Sequence, residues 1–201
     1  MMTIVYGALE PVLSLRILDY NVTDSQTGLI FGVEPLTYAL STIIIPYIVP
    51  KWVEARVTLI TALVLLGVST ALVGPFFEEK NMVVMLIGLG LSGFMMGFLI
   101  IPNMPEMMKA TKEAHPNCDL DHANSLLSGM LNAGFGIGQA VGPLLGAYLY
   151  QATNFRMAMN IIAIICIGYA FLYLVCAKGC QAYLLTCKNF SNRNRRQSAV
   201  D

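Results

Sequence analysis

The chain has 201 residues, of which 56% are hydrophobic and only 12% charged, with a formal net charge of zero and a mean hydropathy of +0.65. Soluble domains carry about 25% charged residues, so this composition excludes a soluble globular domain, and the balanced charge gives no reason to expect a nucleic-acid partner. Long apolar runs alternate with short charged connectors, the pattern of an integral membrane protein whose main partner is the lipid bilayer.

Six segments reach the roughly 20 apolar residues that a spanning helix needs: 1–18, 27–49, 57–76, 82–101, 123–150 and 155–177. The first carries Glu10 followed by Pro11, with Thr3, Tyr6, Glu10 and Ser14 stepping by three or four along one helical face. It lacks a basic leading region, its apolar run is broken and no small-residue cleavage site follows, so it is not a signal peptide. Its abrupt start points to a fragment or a short isoform. The second segment repeats the pattern with Glu34-Pro35, and Thr27, Glu34, Tyr38 and Ser41 share a face. The third holds only hydroxyls, among them Thr58, Thr61, Ser69 and Thr70.

The fourth segment contains the run Gly88-Leu89-Gly90-Leu91-Ser92-Gly93. It matches the dinucleotide fingerprint GxGxxG, but it has no strand before it and sits inside a membrane span, so no nucleotide site is expected. The helix is expected to run on past Pro102 and Pro105 toward Lys109. Two prolines there loosen it and make Asn103 and Glu106 gate candidates, although a solvated helix end is the simpler reading of Glu106. The following loop mixes His115, Cys118, Asp119, Asp121 and His122 without tetrahedral ligand spacing. No metal or cofactor is expected, and Asp121 or Asn124 is read as the cap of the fifth helix.

The fifth segment carries two stripes. Ser128, Asn132 and Gln139 form one, facing the interior; Gly134, Gly138, Gly142 and Gly146 form the other, where a neighbouring helix packs closely. The sixth has only Asn160. The five cysteines give no disulfide framework; Cys180 and Cys187 lie where palmitoylation is feasible. The tail 178–201 reads as cytosolic and disordered, with Arg193, Arg195 and Arg196 available to anionic lipid.

Nine of the twelve basic residues fall on one side of the spans, including Lys51, Arg56, Lys109, Lys112 and Lys178. That side is therefore read as cytosolic, the C-terminus with it. Arg16, Lys80 and Arg156 are left on the other side with Asp19, Asp24, Glu78, Glu79 and the sequon Asn21-Val22-Thr23. In polarity the segments run polar, polar, bland, twice over, as an inverted three-plus-three repeat requires.

The two carboxylates carry the functional reading. A charged group at membrane depth costs roughly 2.5–3.5 kcal/mol on insertion scales, and each proline also frees a backbone carbonyl that a cavity or neighbouring helix must satisfy. Burial favours the neutral acid, so such a group holds either a proton or a cationic amine. Tyr6 and Tyr38 offer aromatic faces to an ammonium, and Asn132 and Gln139 complete the candidate substrate and proton site with Glu10 and Glu34. No nucleophile–base pair is present, so an enzyme is not expected.

The runs Gly7-Ala8-Leu9-Glu10-Pro11, Ile101-Pro102-Asn103-Met104-Pro105 and Asn132 through Gly138 to Pro143 resemble the C-terminal half of a vesicular amine transporter, a twelve-span carrier of the major facilitator superfamily. The resemblance covers nearly the whole chain. It implies exchange of luminal protons for cytosolic cationic amines across a vesicle membrane, with Glu10 as a substrate- or proton-linked residue. The monoamine members carry aspartates where this chain has Ile100 and Asn132; together with Glu34 and the run ending at Glu106, this looks like the polyamine branch. The resulting expectation is an all-helical six-span half-bundle over 1–177 that works with a missing N-terminal half or a full-length carrier. A drug or other organic-cation/proton antiporter, and a non-transporting truncated isoform bound to a full-length carrier, are the alternatives.

Overall fold

A computed structural model describes residues 1–18, 20, 22–48, 54–74, 81–116 and 118–176. The readings of Asp19, Asn21, Lys51, Glu78, Glu79, Lys80, Lys178, Cys180, Cys187 and the remainder of the tail lie outside these residues. Six helices follow one another: α1 (Met2–Leu18), α2 (Asp24–Ile48), α3 (Ala55–Val73), α4 (Met82–Ala114), α5 (Leu120–Ala152) and α6 (Phe155–Cys176), with no strand among the described residues. Each lies where an apolar segment is expected, and α4 runs past both Pro102 and Pro105.

Four of the six, α2, α3, α4 and α6, are long and apolar enough to cross a membrane by themselves. The other two differ from the uniform six-span expectation for reasons visible in their residues. α1 has 17 residues and includes Glu10 and Arg16, while α5 spends much of its length on glycine and amide side chains. These two helices pack along each other.

Local chemistry sets the helix starts. Asn81 caps α4, its side-chain oxygen accepting from the amides of Val83 at 3.2 Å and Val84 at 3.4 Å. α5 is capped by Asp119, which accepts from the Asp121 amide at 3.2 Å, not by Asp121 or Asn124. The helix begins earlier than its apolar run, so Asp121 falls in the first turn, where its charge favours the helix dipole.

The principal packing pairs are α3–α4, α1–α5, α2–α4 and α3–α6, while α4–α5, α1–α6 and α5–α6 touch only slightly. Exchanging the first three helices with the last three maps α1–α5 onto α4–α2 and α3–α6 onto itself, so these pairs obey the internal repeat. The α3–α4 pair breaks it, because its counterpart α6–α1 is slight. Leu13 and Ile17 of α1, Leu66 of α3, Met85 and Leu89 of α4 and Met159 of α6 are fully buried in the shared core.

Small residues set the helix separations. A Cβ on Gly142 would lie 2.8 Å from the Ile4 carbonyl oxygen and 2.9 Å from the Gly7 Cα, and one on Gly146 would lie 2.8 Å from the Ala8 Cα. Gly138 meets Thr3 in the same seam, whereas Gly134 faces open space and so leaves the expected glycine stripe. The GxGxxG run has a packing explanation too. A Cβ on Gly88 would come within 2.7 Å of the Val73 nitrogen on α3, and Gly93 abuts the Glu34 backbone on α2.

At the end of the bundle where α3 starts and α4 finishes, Arg56 pairs with Glu106, and the Lys109 ammonium meets the Glu54 carboxylate at 2.6 Å. The Glu106 side chain is only 8% exposed, so it is a buried partner of Arg56 rather than a solvated helix end. The α4 extension places it there by lying along α3. At the opposite end the Arg16 guanidinium sits over the rings of Tyr20 at 5.3 Å and Phe155 at 5.4 Å. Arg16 thus lies at the other end of the bundle from Arg56 and Lys109, as the charge pattern requires.

Two outcomes test this packing. Gly142→Ala should lower the thermal stability of the detergent-solubilised chain by about 1–3 kcal/mol through overpacking, while Gly168→Ala, which meets open space, should leave it unchanged. Arg56→Met strands the buried Glu106 and should cost up to about 3–5 kcal/mol; adding Glu106→Leu should recover most of the loss, measured by the same melting experiment.

Candidate functional site

The site begins with the close approach of α2 and α4. Gly93 faces the Glu34 backbone and Thr37, and a Cβ on Gly97 would lie 2.8 Å from the Ile45 Cδ1 and press on Ser41. With no side chains to hold the helices apart, Glu34 of α2 is driven against α4 and is buried, 6% exposed. There the Ser92 hydroxyl lies 3.1 Å from Glu34 Oε1 and 2.8 Å from the Leu89 carbonyl oxygen. From α1, the Tyr6 side chain comes close enough to Glu34 to act on its carboxyl group. Among the described residues, the groups acting on this carboxyl are Tyr6, Ser92 and Glu10, with no lysine, arginine or histidine.

Glu10 stands one helical turn beyond Tyr6 and is exposed. It lines a cavity of about 260 Å³ with Thr3, Tyr6, Gly7, Met96, Gln139 and Pro143. The cavity exists because the α1–α5 seam is built from glycine and small side chains, so Gln139 and Pro143 stand close beside Gly7. Tyr6 alone belongs to both places: it lines the cavity and reaches the buried carboxyl behind it.

The structure therefore brings Tyr6, Glu10, Glu34 and Gln139 together. Tyr38 is half-buried one turn after Glu34 and close enough to Tyr6 to act on it electrostatically. Asn132 is exposed and does not line the acidic cavity, because it precedes Gln139 by two turns of α5. The gate candidates separate as well. Asn103 lines a second cavity of about 330 Å³ with Leu59, Leu99, Met107, Tyr169 and Tyr173, while Glu106 pairs with Arg56 and keeps its second oxygen, Oε2, buried without a hydrogen-bond partner.

Sequence reasoning missed Ser92 and Met96. Ser92 had a signal: it is the only hydroxyl residue between Met82 and Asn103, set in the glycine run that lets α2 approach. Met96 had none, since methionine on an apolar helix is ordinary. No group of three or more metal-ligating side chains occurs among the described residues.

Comparison with known proteins agrees with this architecture. Residues 1–180 match the model of the Major Facilitator Superfamily. The MFS-type transporter SLC18B1 of Homo sapiens is 32% identical over 168 residues, 78% of this chain and 35% of that protein. Its counterpart in Mus musculus is 30% identical over 165 residues, 76% of this chain and 34% of that protein. The chain thus spans about a third of the length of the curated relatives it matches. No solved structure matches it. With its apolar helices, its repeat-related packing and a family match over 180 of its residues, the chain is a multi-pass membrane protein and belongs to the Major Facilitator Superfamily.

Proposed function

We propose that this chain is one half of a carrier that exchanges protons for cationic amines, polyamines favoured, across a vesicle membrane with its C-terminus in the cytosol. The observation that carries the reading is Glu34, a buried carboxyl group bonded to the Ser92 hydroxyl with no cationic partner among the described residues, next to a cavity lined by a second carboxylate, Glu10. An acidic group held in so dry a place is stable either protonated or facing a cation. Polyamines carry several positive charges spaced along a flexible chain, and two separated acidic groups suit them better than a single one. Gln139 adds an amide to the wall, and Tyr6 an aromatic face.

Transport sites of this family's type lie between two six-helix halves that rock against each other, so the partner is an N-terminal half or a full-length carrier. The Arg56–Glu106 and Lys109–Glu54 pairs tie α3 to α4 on the cytosolic side in this orientation. They are positioned to hold that side together in one state and to part in another.

Three outcomes test the proposal. Proteoliposomes containing this chain alone should show no gradient-driven spermidine uptake, and uptake should appear when six N-terminal helices are supplied. In that twelve-helix form Glu10→Gln should abolish uptake, a loss of roughly a hundredfold or more, equal to about 3 kcal/mol; wild-type rates in this variant would sink the reading. Spermidine should outcompete serotonin, and the reverse order would place the chain among carriers of other organic cations.

A further inference from the structure

We infer that Glu10 and Glu34 have different jobs: Glu10 is the carboxylate that meets the cationic amine, and Glu34 is a separate proton-binding residue coupled to it through the Tyr6 hydroxyl. The inference rests on the exchange reading above and assigns roles within it.

Access separates the two groups. Glu10 is exposed and borders a cavity of about 260 Å³, room for an alkylammonium group. Glu34 does not line that cavity; it is buried on α2 against Ser92 of α4, nearly out of contact with solvent. The hydrogen bonds around Glu34 also serve both of its forms. A serine hydroxyl has one proton, and the Ser92 oxygen lies within bonding distance of both the Leu89 carbonyl at 2.8 Å and Glu34 Oε1 at 3.1 Å. When Glu34 is a neutral acid, Ser92 donates to Leu89 and accepts from the Glu34 O–H. When Glu34 is ionised, the Ser92 proton turns to the carboxylate. The Tyr6 hydroxyl has the same freedom. It donates to ionised Glu34, and it is released toward the cavity and Glu10 when Glu34 carries its own proton.

Every titratable or charged group that acts on Glu34 is accounted for. α1 contributes Tyr6 and Glu10, α4 contributes Ser92, which does not titrate, and on α2 itself Tyr38 stands one turn away. No cation among the described residues compensates Glu34, so a positive charge arriving beside Glu10 is what shifts its balance. The step is then simple. An ammonium enters beside Glu10, the Glu34 O–H bond breaks, its proton leaves to water, and Tyr6 and Ser92 both donate to the new carboxylate. Release of the amine reverses the step, with a proton from water rejoining Glu34. One proton leaves for each amine molecule bound, and no other atom changes hands.

The test uses the twelve-helix form, this chain supplied with six N-terminal helices, in lipid nanodiscs with spermidine as ligand, followed by calorimetry in two buffers of different ionisation enthalpy. The unmodified form should bind with release of about one proton. Glu34→Gln, which mimics the protonated acid, should bind within a few-fold of wild type yet release no proton. Glu10→Gln should weaken binding roughly tenfold or more. Tyr6→Phe should still bind but with a displaced pH profile, which a purely structural role for the ring would not produce. Equal loss in Glu10→Gln and Glu34→Gln, or proton release persisting in Glu34→Gln, would overturn the division of roles while leaving the exchange reading intact. Failure of the unmodified twelve-helix form to bind spermidine at all would overturn both. A readout that needs no binding-competent variant is the infrared carbonyl stretch of a protonated carboxylic acid. It should weaken when spermidine is added to the unmodified form, persist in Glu10→Gln and vanish in Glu34→Gln; its absence from Glu10→Gln would overturn the assignment.

Discussion

The structure turns on the need to give a carboxyl group hydrogen-bond partners in a place without water. Glu34 lies in the middle of a mainly apolar helix, and leaving its oxygens unpaired there would cost several kcal/mol. The α2–α4 contact meets that need by close approach: Gly93 and Gly97 remove the side chains that would hold the helices apart, and Ser92, between them, supplies the hydroxyl. From the other side α1 delivers Tyr6. The placement of α1 depends in turn on its seam with α5, where Gly138, Gly142 and Gly146 let it settle against the backbone. The same two glycine-built seams make the core compact and bring the acidic groups within reach of each other.

The two carboxyl groups show how environment separates residues of the same type. Glu10 and Glu34 share chemistry and a following proline, but one borders a cavity and the other is buried against Ser92 of α4. Glu106 is a third case: it is buried as well, but compensated by Arg56. Without a cationic partner a buried acid is responsive, because its charge state depends on what arrives nearby. With one, it acts as a tie between helices whose rupture is costly.

The end-to-end arrangement of charge follows from the same economy of burial. Arg56, Glu54, Glu106 and Lys109 gather where α3 starts and α4 finishes, whereas Arg16 is held over two aromatic rings at the opposite end. In the middle of the bundle, buried hydroxyl groups find hydrogen bonds inside it. Among these are Ser69 and Thr70, both of which donate back to the Leu66 carbonyl within their own helix.

The number and order of the helices, the membrane setting and the acidic character of the site were determined by the sequence, because apolar length, charge spacing and the cost of an intramembrane carboxylate are local properties. The face shared by Thr3, Tyr6 and Glu10 was legible from helical period, and the family from short runs around Glu10, Asn103 and Gly138. Pairing between helices was not local and had to come from the tertiary structure. Only there did Ser92 become the partner of Glu34, Glu106 the partner of Arg56, and Gln139 a neighbour of Glu10, while Asn132, two turns earlier, stayed off the acidic cavity. Period tells which residues of one helix face the same way. Which helix they face is decided by how closely the backbones can approach, and that depends on glycines at matching heights on two helices far apart in the chain.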